Sequence, residues 1–281
     1  MKRKLLNPSQ TNFHRGLIGG AVALFAAVAA ALITSAGAAP GRDSAKAKET
    51  TIVLVHGAFA ESSSWDAVIP RLSAKGYNVV AVANPLRGLK SDADYVASVL
   101  ATIKEPVVLV GHSYGGSVIT NAANGQANVK ALVYIDGYAP DAGESAASLS
   151  TQFPGGTLGS ALAPPVALAD GGKDLYIQQE KFRAQFAADV PEAETKLMFA
   201  TQRPVTEAAL NETSGTPAWK TIPSWFIYGS LDKNITPEAL VFMAKRAGSK
   251  ETVEVKGGSH VVMVSKPEEV AKLIERAAQS L

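Results

Sequence analysis

The chain contains no cysteine and only four histidines among its 281 residues. The lack of cysteine excludes disulfide bonds, thiolate metal sites and a cysteine nucleophile. Charged residues make up 19% of the chain and hydrophobic residues 47%, which is the composition of an ordinary globular protein. A chain of this length can bury a sizeable core, and that core must supply its stability without covalent cross-links.

The first 38 residues contain no acidic side chain and are typical of an export signal. Four basic residues precede an apolar stretch at 17–33, and the small residues Ala36-Gly37-Ala38 follow it. We expect cleavage after Ala38, a flexible leader over residues 39–50, and a secreted or periplasmic protein. An uncleaved membrane anchor is the alternative, because about 18 apolar residues can just span a bilayer.

Removal of residues 1–38 would take away four basic side chains and change the formal net charge from +2 to −2. The remaining chain has no cluster of lysine and arginine, so the sequence predicts no nucleic-acid partner. It also predicts no stable membrane association once the signal is removed. No group of histidine and acidic residues has the spacing of metal ligands, and no cofactor is implied.

From Thr51 onward, short β-branched stretches alternate with longer helical patterns, which is typical of βαβ units. This order predicts an α/β fold with a mostly parallel central sheet flanked by helices. One of the predicted helices begins at Ser63 and continues to about Lys75. Between about 140 and 220 there is no convincing buried strand, and helical patterns begin near Asp174 and Val205. We interpret this segment as a helical cap inserted over the sheet.

A G-x-S-x-G motif lies between an apolar strand and a helix, at Gly111-His112-Ser113-Tyr114-Gly115. Its flanking glycines suit a sharp strand-to-helix turn, which strains the serine backbone and exposes the hydroxyl at the carboxyl edge of a sheet. The alternative is a serine that merely caps the helix. The surrounding strand and helix favour Ser113 as a nucleophile.

A serine hydroxyl needs a base within hydrogen-bond reach. His14 leaves with the signal, His56 ends the first predicted strand, and His112 is adjacent to the serine. His260 remains, in a loop that follows a strand near the C-terminus, so it is the predicted general base. The alternative is an ordinary histidine on a surface loop.

A carboxylate should follow the serine and precede the histidine in the chain. Asp232 follows the strand predicted at 224–228, and it would hold the imidazole tautomer and stabilise the imidazolium. Asp136 ends the strand predicted at 129–135 and is the rival for this role. We favour Asp232, because its strand is nearest in sequence to His260, and we place Asp136 at the mouth of the substrate pocket.

An oxyanion hole needs two backbone N–H groups directed at the developing negative charge. Tyr114 follows the nucleophile and supplies one of them. We expect the other from Ala58, in the loop after the first strand, where Gly57 allows close approach of the backbone. Phe59 is expected to pack against substrate, and His56 to order this loop through hydrogen bonds rather than to transfer protons.

Four stretches together resemble the α/β-hydrolase superfamily, and the likeness covers residues 51–281 except the cap: Leu54-Val55-His56-Gly57-Ala58, Gly111 to Gly116, Gly229-Ser230-Leu231-Asp232 and Gly257-Gly258-Ser259-His260. The His-Gly-Ala opening and the short cap are similar to the branch of plant methyl-salicylate-type esterases and hydroxynitrile lyases. The resemblance implies the α/β-hydrolase fold, a Ser113–Asp232–His260 triad, and Ala58 and Tyr114 as oxyanion donors.

Two departures from that branch bear on the reaction. Its lyases carry a threonine and a lysine where this chain has Gly57 and Val261, which disfavours lyase activity, and Ser113 is incompatible with the aspartate nucleophile of dehalogenase relatives. We therefore predict a serine esterase that acts on small to medium, mainly apolar carboxylic esters. The alternatives are a cofactor-free perhydrolase or haloperoxidase with the same triad, and a non-catalytic small-molecule binding protein of the same fold.

Overall fold

The computed structural model describes Ala47 and residues 49–281. The predicted signal peptide (1–38) and most of the predicted leader (39–50) lie outside these residues. Within the described part, no helix is both long enough and apolar enough to cross a membrane.

The strands of residues 49–281 form one large sheet and one small sheet. In chain order they are β1 (Thr51–Val55), β2 (Asn78–Val82), β3 (Val107–His112), β4 (Val129–Ile135), β5 (Val166–Ala167), β6 (Lys173–Leu175), β7 (Val205–Thr206), β8 (Ser224–Gly229) and β9 (Thr252–Val255). The large sheet has the order β2-β1-β3-β4-β8-β9, and every pairing in it is parallel. All six carboxyl ends therefore meet at one edge, where ligands of open α/β sheets bind.

Every residue of β1 and β3 is buried, as expected for a parallel sheet that helices cover on both faces. In chain order the α-helices of the described part are α1 (Ile69–Ala74), α2 (Leu89–Leu100), α3 (Tyr114–Ala122), α4 (Ala146–Gln152), α5 (Leu158–Ala161), α6 (Gln179–Phe186), α7 (Glu192–Ala200), α8 (Glu207–Asn211), α9 (Pro237–Arg246), α10 (Val262–Ser265) and α11 (Pro267–Gln279). Two 3₁₀ helices accompany them, at Ser62–Trp65 and Ala218–Lys220. The α/β fold with a mostly parallel sheet is confirmed.

The single helix predicted from Ser63 to about Lys75 is wrong. The chain instead forms the 3₁₀ helix Ser62–Trp65 and then begins again as α1, with a proline in the first turn. Pro70 has no backbone N–H and cannot continue an earlier helix, but its fixed φ suits the start of a new one.

The segment between β4 and β8 forms the predicted cap, and it contains α4 to α8. It also holds a three-stranded antiparallel sheet of β5, β6 and β7, so the helices expected to begin at Asp174 and Val205 start later, at Gln179 and Glu207. Strands of two or three residues are too short to produce a recognisable alternation of polar and apolar residues.

Candidate active site

Ser113 lies at a sharp turn between β3 and α3. Its backbone has φ 53° and ψ −124°, a strained combination for a residue with a side chain. The turn is held on both sides, since Ser113 N donates to Ile135 O at 3.1 Å and Tyr138 N donates to Ser113 O at 3.1 Å. The packing of β3 against β4 therefore maintains a conformation that would otherwise cost about 1–3 kcal/mol.

Glycines allow this turn to lie against the sheet. A Cβ on Gly115 would be 2.5 Å from Val55 O, and one on Gly111 would be 2.5 Å from Gly115 O. Both distances are shorter than van der Waals contact with a backbone oxygen, so no other residue fits without moving β1 or α3. The glycines of the motif therefore have the steric role that the sequence predicted for them.

The structure brings together the three side chains predicted as a triad. His260 Nε2 lies 2.8 Å from Ser113 Oγ, and His260 Nδ1 lies 2.7 Å from Asp232 Oδ2. All three residues are buried, with Ser113 the most exposed at 6%. The other carboxylate oxygen, Asp232 Oδ1, accepts from Asn234 N at 2.7 Å and from Ile235 N at 3.1 Å.

These contacts define the tautomer of His260. A carboxylate only accepts hydrogen bonds, so Nδ1 carries the proton that is donated to Asp232. Nε2 is then an acceptor, and it faces the Ser113 hydroxyl. This is the arrangement in which an imidazole can take the proton of an attacking serine.

The two other histidines of the described chain are buried and neutral. Burial lowers the pKa of His56 to about 4 and holds the pKa of His112 well below its usual value. His56 Nε2 accepts from Asn84 N at 3.0 Å, and His56 Nδ1 lies 3.0 Å from Gly57 O, so its ring orders the loop as expected. His112 Nε2 lies 2.9 Å from His260 O and holds the backbone of the predicted base.

Ala58 and Tyr114 line the same cavity as Ser113, and no hydrogen bond from the backbone N–H of either residue is seen among the turns, loops and caps of the described residues. A Cβ on Gly57 would be 2.6 Å from Ser113 Cβ and 3.1 Å from Tyr114 N, so the loop after β1 lies directly against the turn. The neighbouring N–H of Phe59 is already bonded to Arg203 O at 3.0 Å. The structure thus brings Ala58 and Tyr114, the two residues predicted as oxyanion donors, to the same side of Ser113.

Asp136 does not lie at a pocket mouth. It is fully buried at the end of β4, where Oδ1 accepts from Gly229 N at 2.7 Å and Oδ2 from Val262 N at 3.4 Å. Burial, and then the charge of Asp232, raise the pKa of its carboxyl well above the usual range. Asp136 therefore links the end of β8 to α10 as a structural group, and Asp232 is the carboxylate that contacts His260.

A family model described as "Alpha/beta hydrolase family" matches residues 52–273 of the chain. The chain belongs to the alpha/beta hydrolase family. It is 25% identical to an alpha-hydroxynitrile lyase and 24% identical to methylesterase 8, both of Arabidopsis thaliana; these alignments cover 78% and 77% of this chain and 93% and 85% of the relatives.

The fold of this alpha/beta hydrolase is also that of a solved esterase structure. The crystal structure of polyneuridine aldehyde esterase superimposes with a TM-score of 0.68 at 20% identity, covering 80% of this chain and 97% of that one. The predicted resemblance to the branch of methylesterases and hydroxynitrile lyases is confirmed.

A cavity of about 70 Å³ lies beside Ser113 in this hydrolase. Its inner wall includes Ala58, Phe59 and Tyr114, and its outer wall comes from the cap: Ala146, Ala147, Ser150, Leu158 and Leu210. This space is several times the roughly 10–15 Å³ that a cavity needs to hold one water molecule. A larger cleft of about 660 Å³ between α6 and α7 includes none of the three predicted catalytic residues.

Two supporting residues gave no signal in the sequence. Asp92 Oδ2 accepts from the Tyr114 hydroxyl at 2.9 Å, and thereby anchors the residue that follows Ser113. Arg203, from the cap, forms a bidentate ion pair with Glu61 at 2.9 and 3.0 Å. Its backbone carbonyl accepts a hydrogen bond from the N–H of Phe59. Both act across long separations in the chain, so no local pattern could reveal them.

Proposed function

We propose that this alpha/beta hydrolase is a serine esterase that cleaves small to medium, mainly apolar carboxylic esters through an acyl-enzyme on Ser113. The observation that carries the proposal is the hydrogen-bonded chain Ser113–His260–Asp232 at a strained turn, with the open N–H groups of Ala58 and Tyr114 beside it. The methylesterase and esterase names of relatives at 24% and 20% identity support ester hydrolysis.

In the proposed reaction, Ser113 Oγ attacks the ester carbonyl carbon while His260 Nε2 takes its proton. The carbonyl oxygen becomes an oxyanion and accepts hydrogen bonds from the N–H groups of Ala58 and Tyr114. The C–O bond to the alcohol breaks, and His260 returns the proton to the departing alkoxide. Water then repeats these steps on the acyl-enzyme and releases the acid.

The walls around Ser113 support a preference for small groups. The cap contributes alanines and leucines to a space of about 70 Å³, which suits a short acyl or alcohol chain better than a long one. We expect the rate with a series of aryl esters to decline as the acyl chain lengthens. A preference for long, insoluble chains would contradict the proposed substrate class.

A fluorophosphonate probe followed by peptide mass spectrometry tests the nucleophile. We expect one adduct on Ser113, and for Ser113→Ala no adduct and a loss of esterase activity on the order of 10⁴-fold or more. Ser117→Ala is the matched control, because Ser117 is a buried serine on the same helix whose hydroxyl has no partner among the described residues. A labelled protein without Ser113 modification would refute the proposal.

A further inference from the structure

The cavity beside Ser113 contains a buried amide whose hydrogen-bonding groups are only partly used. Asn234 lines this cavity and is 5% exposed. Its Oδ1 accepts from Gln185 Nε2 at 2.7 Å, whereas its Nδ2 has no partner among the described residues. Nδ2 is also absent from the fully enclosed unpaired atoms of that part of the chain, so it borders empty space.

The neighbouring hydrogen bonds determine the orientation of the Asn234 amide. Gln185 Nε2 donates to Lys233 O at 2.9 Å, and Thr157 Oγ1 donates to Gln185 Oε1 at 2.7 Å. A backbone carbonyl can only accept, so the Gln185 amide has one orientation, and the atom of Asn234 that meets its N–H must be oxygen. The Asn234 amide nitrogen is therefore directed away from Gln185.

Asn234 and Ser113 line the same cavity, and most of the other residues of its wall are apolar. Asn234 is two residues after Asp232 and donates its backbone N–H to that carboxylate. The other polar side chains of the wall all have partners: Tyr138 and Ser150 pair with each other at 2.6 Å, the Ser113 hydroxyl lies 2.8 Å from His260 Nε2, and the Tyr114 hydroxyl donates to Asp92. An unpaired N–H donor in a mainly apolar cavity is energetically unfavourable. A site that contains one favours a ligand with an acceptor for that N–H over a ligand without an acceptor.

We propose that Asn234 Nδ2 donates a hydrogen bond to an oxygen of the substrate other than the scissile ester group. The preferred substrates are then small esters with an ether, hydroxyl or carbonyl oxygen a few atoms from the scissile carbonyl. The inference rests on the proposed esterase function, and it narrows the substrate from any small apolar ester to an oxygenated one.

Two isosteric pairs of esters test this. p-Nitrophenyl methoxyacetate and p-nitrophenyl butyrate differ only by an oxygen in place of a CH₂ in the acyl chain. 2-Methoxyethyl acetate and butyl acetate differ in the same way in the alcohol. Within each pair, the ratio of kcat/KM values is compared between the wild type and Asn234→Leu, which cancels the intrinsic reactivity of the esters.

We expect the preference for the oxygenated ester to fall about 5-fold in Asn234→Leu for at least one pair, which is the usual worth of one neutral hydrogen bond. Asn234→Asp keeps the acceptor toward Gln185 and replaces only the donor. It is the second variant, and it should lower the same ratio even where Asn234→Leu does not fold. Tyr138→Phe is the control, because Tyr138 lines the same cavity but its hydroxyl pairs with Ser150 and not with Asn234; it should change the ratio less than about 2-fold.

Unchanged ratios in both pairs for the Asn234 variants would overturn the inference, as would an equal fall in Tyr138→Phe. If the wild type hydrolyses these esters and the ratios do not respond, only the role of Asn234 is wrong. If it hydrolyses none of them and Ser113 does not react with the probe, the proposed esterase function fails as well.

Discussion

His56 is a fully buried histidine whose protonation should weaken the fold in mild acid. Its neutral ring satisfies two partners, because Nδ1–H donates to Gly57 O and Nε2 accepts from Asn84 N. Burial lowers its pKa from a usual value of 6.5 to about 4. A proton on Nε2 would place a charge in the core and remove the acceptor for Asn84 N.

The direction of the pH dependence follows from which state of the chain binds the proton. Between pH 6.5 and about 4 the unfolded chain binds a proton on His56 and the folded chain does not. The contribution of neutral His56 to the free energy of unfolding is thus fully present above pH 6.5. It declines as the pH falls to about 4, and no more is lost below that pH. The gap between the two pKa values corresponds to a contribution of about 3 kcal/mol to the free energy of unfolding. About 2 kcal/mol of this contribution is already lost at pH 5.

Urea unfolding of the wild type and of His56→Asn at several pH values between 8 and 4 measures this contribution. The comparison with the variant is needed because burial raises the pKa values of Asp92 and Asp136, which makes their contributions decline as the pH rises. We expect the stability advantage of the wild type over the variant to shrink by about 2 kcal/mol from pH 8 to pH 5. An equally steep acid loss in His56→Asn would refute the reasoning.

Three further substitutions have defined outcomes. Asp232→Asn should lower kcat about 10⁴-fold by favouring the wrong tautomer of His260, and steady-state kinetics with a loss under 10-fold would contradict the triad. Gly57→Ala would place a Cβ 2.6 Å from Ser113 Cβ and displace the loop that carries Ala58, the proposed oxyanion donor, so we expect kcat to fall about 10²–10³-fold. Tyr114→Phe leaves the buried Asp92 Oδ2 unpaired and should cost about 1–3 kcal/mol in urea unfolding; an unchanged midpoint would show that the hydrogen bond is dispensable.

The sequence by itself determined the turn at Ser113 and the edge of the sheet where the site lies. A strand, a G-x-S-x-G turn and a helix are specified by neighbouring residues, and consecutive βαβ units place all the carboxyl ends together. With only four histidines in the chain, the order of elements then singled out His260. These predictions depend on local conformation and on topology, both of which leave a pattern in the chain.

Only the tertiary structure decided between Asp232 and Asp136. Both follow strands that end at the correct edge, and the difference is that Asp232 reaches His260 Nδ1, whereas the Asp136 carboxyl bonds to Gly229 N and Val262 N. The choice depends on side-chain directions and packing across strands, which neither composition nor spacing records.

The shape and polarity of the cavity were likewise decided by contacts between distant segments. The Arg203 carbonyl accepts a hydrogen bond from the N–H of Phe59 and not from that of Ala58. The side chain of Gln185 orients the amide of Asn234. These partners are separated by many residues in the chain, and short cap strands leave no periodic signal. The sequence thus determined the position of Ser113, the proposed nucleophile, and packing between the cap and the sheet decided what surrounds it.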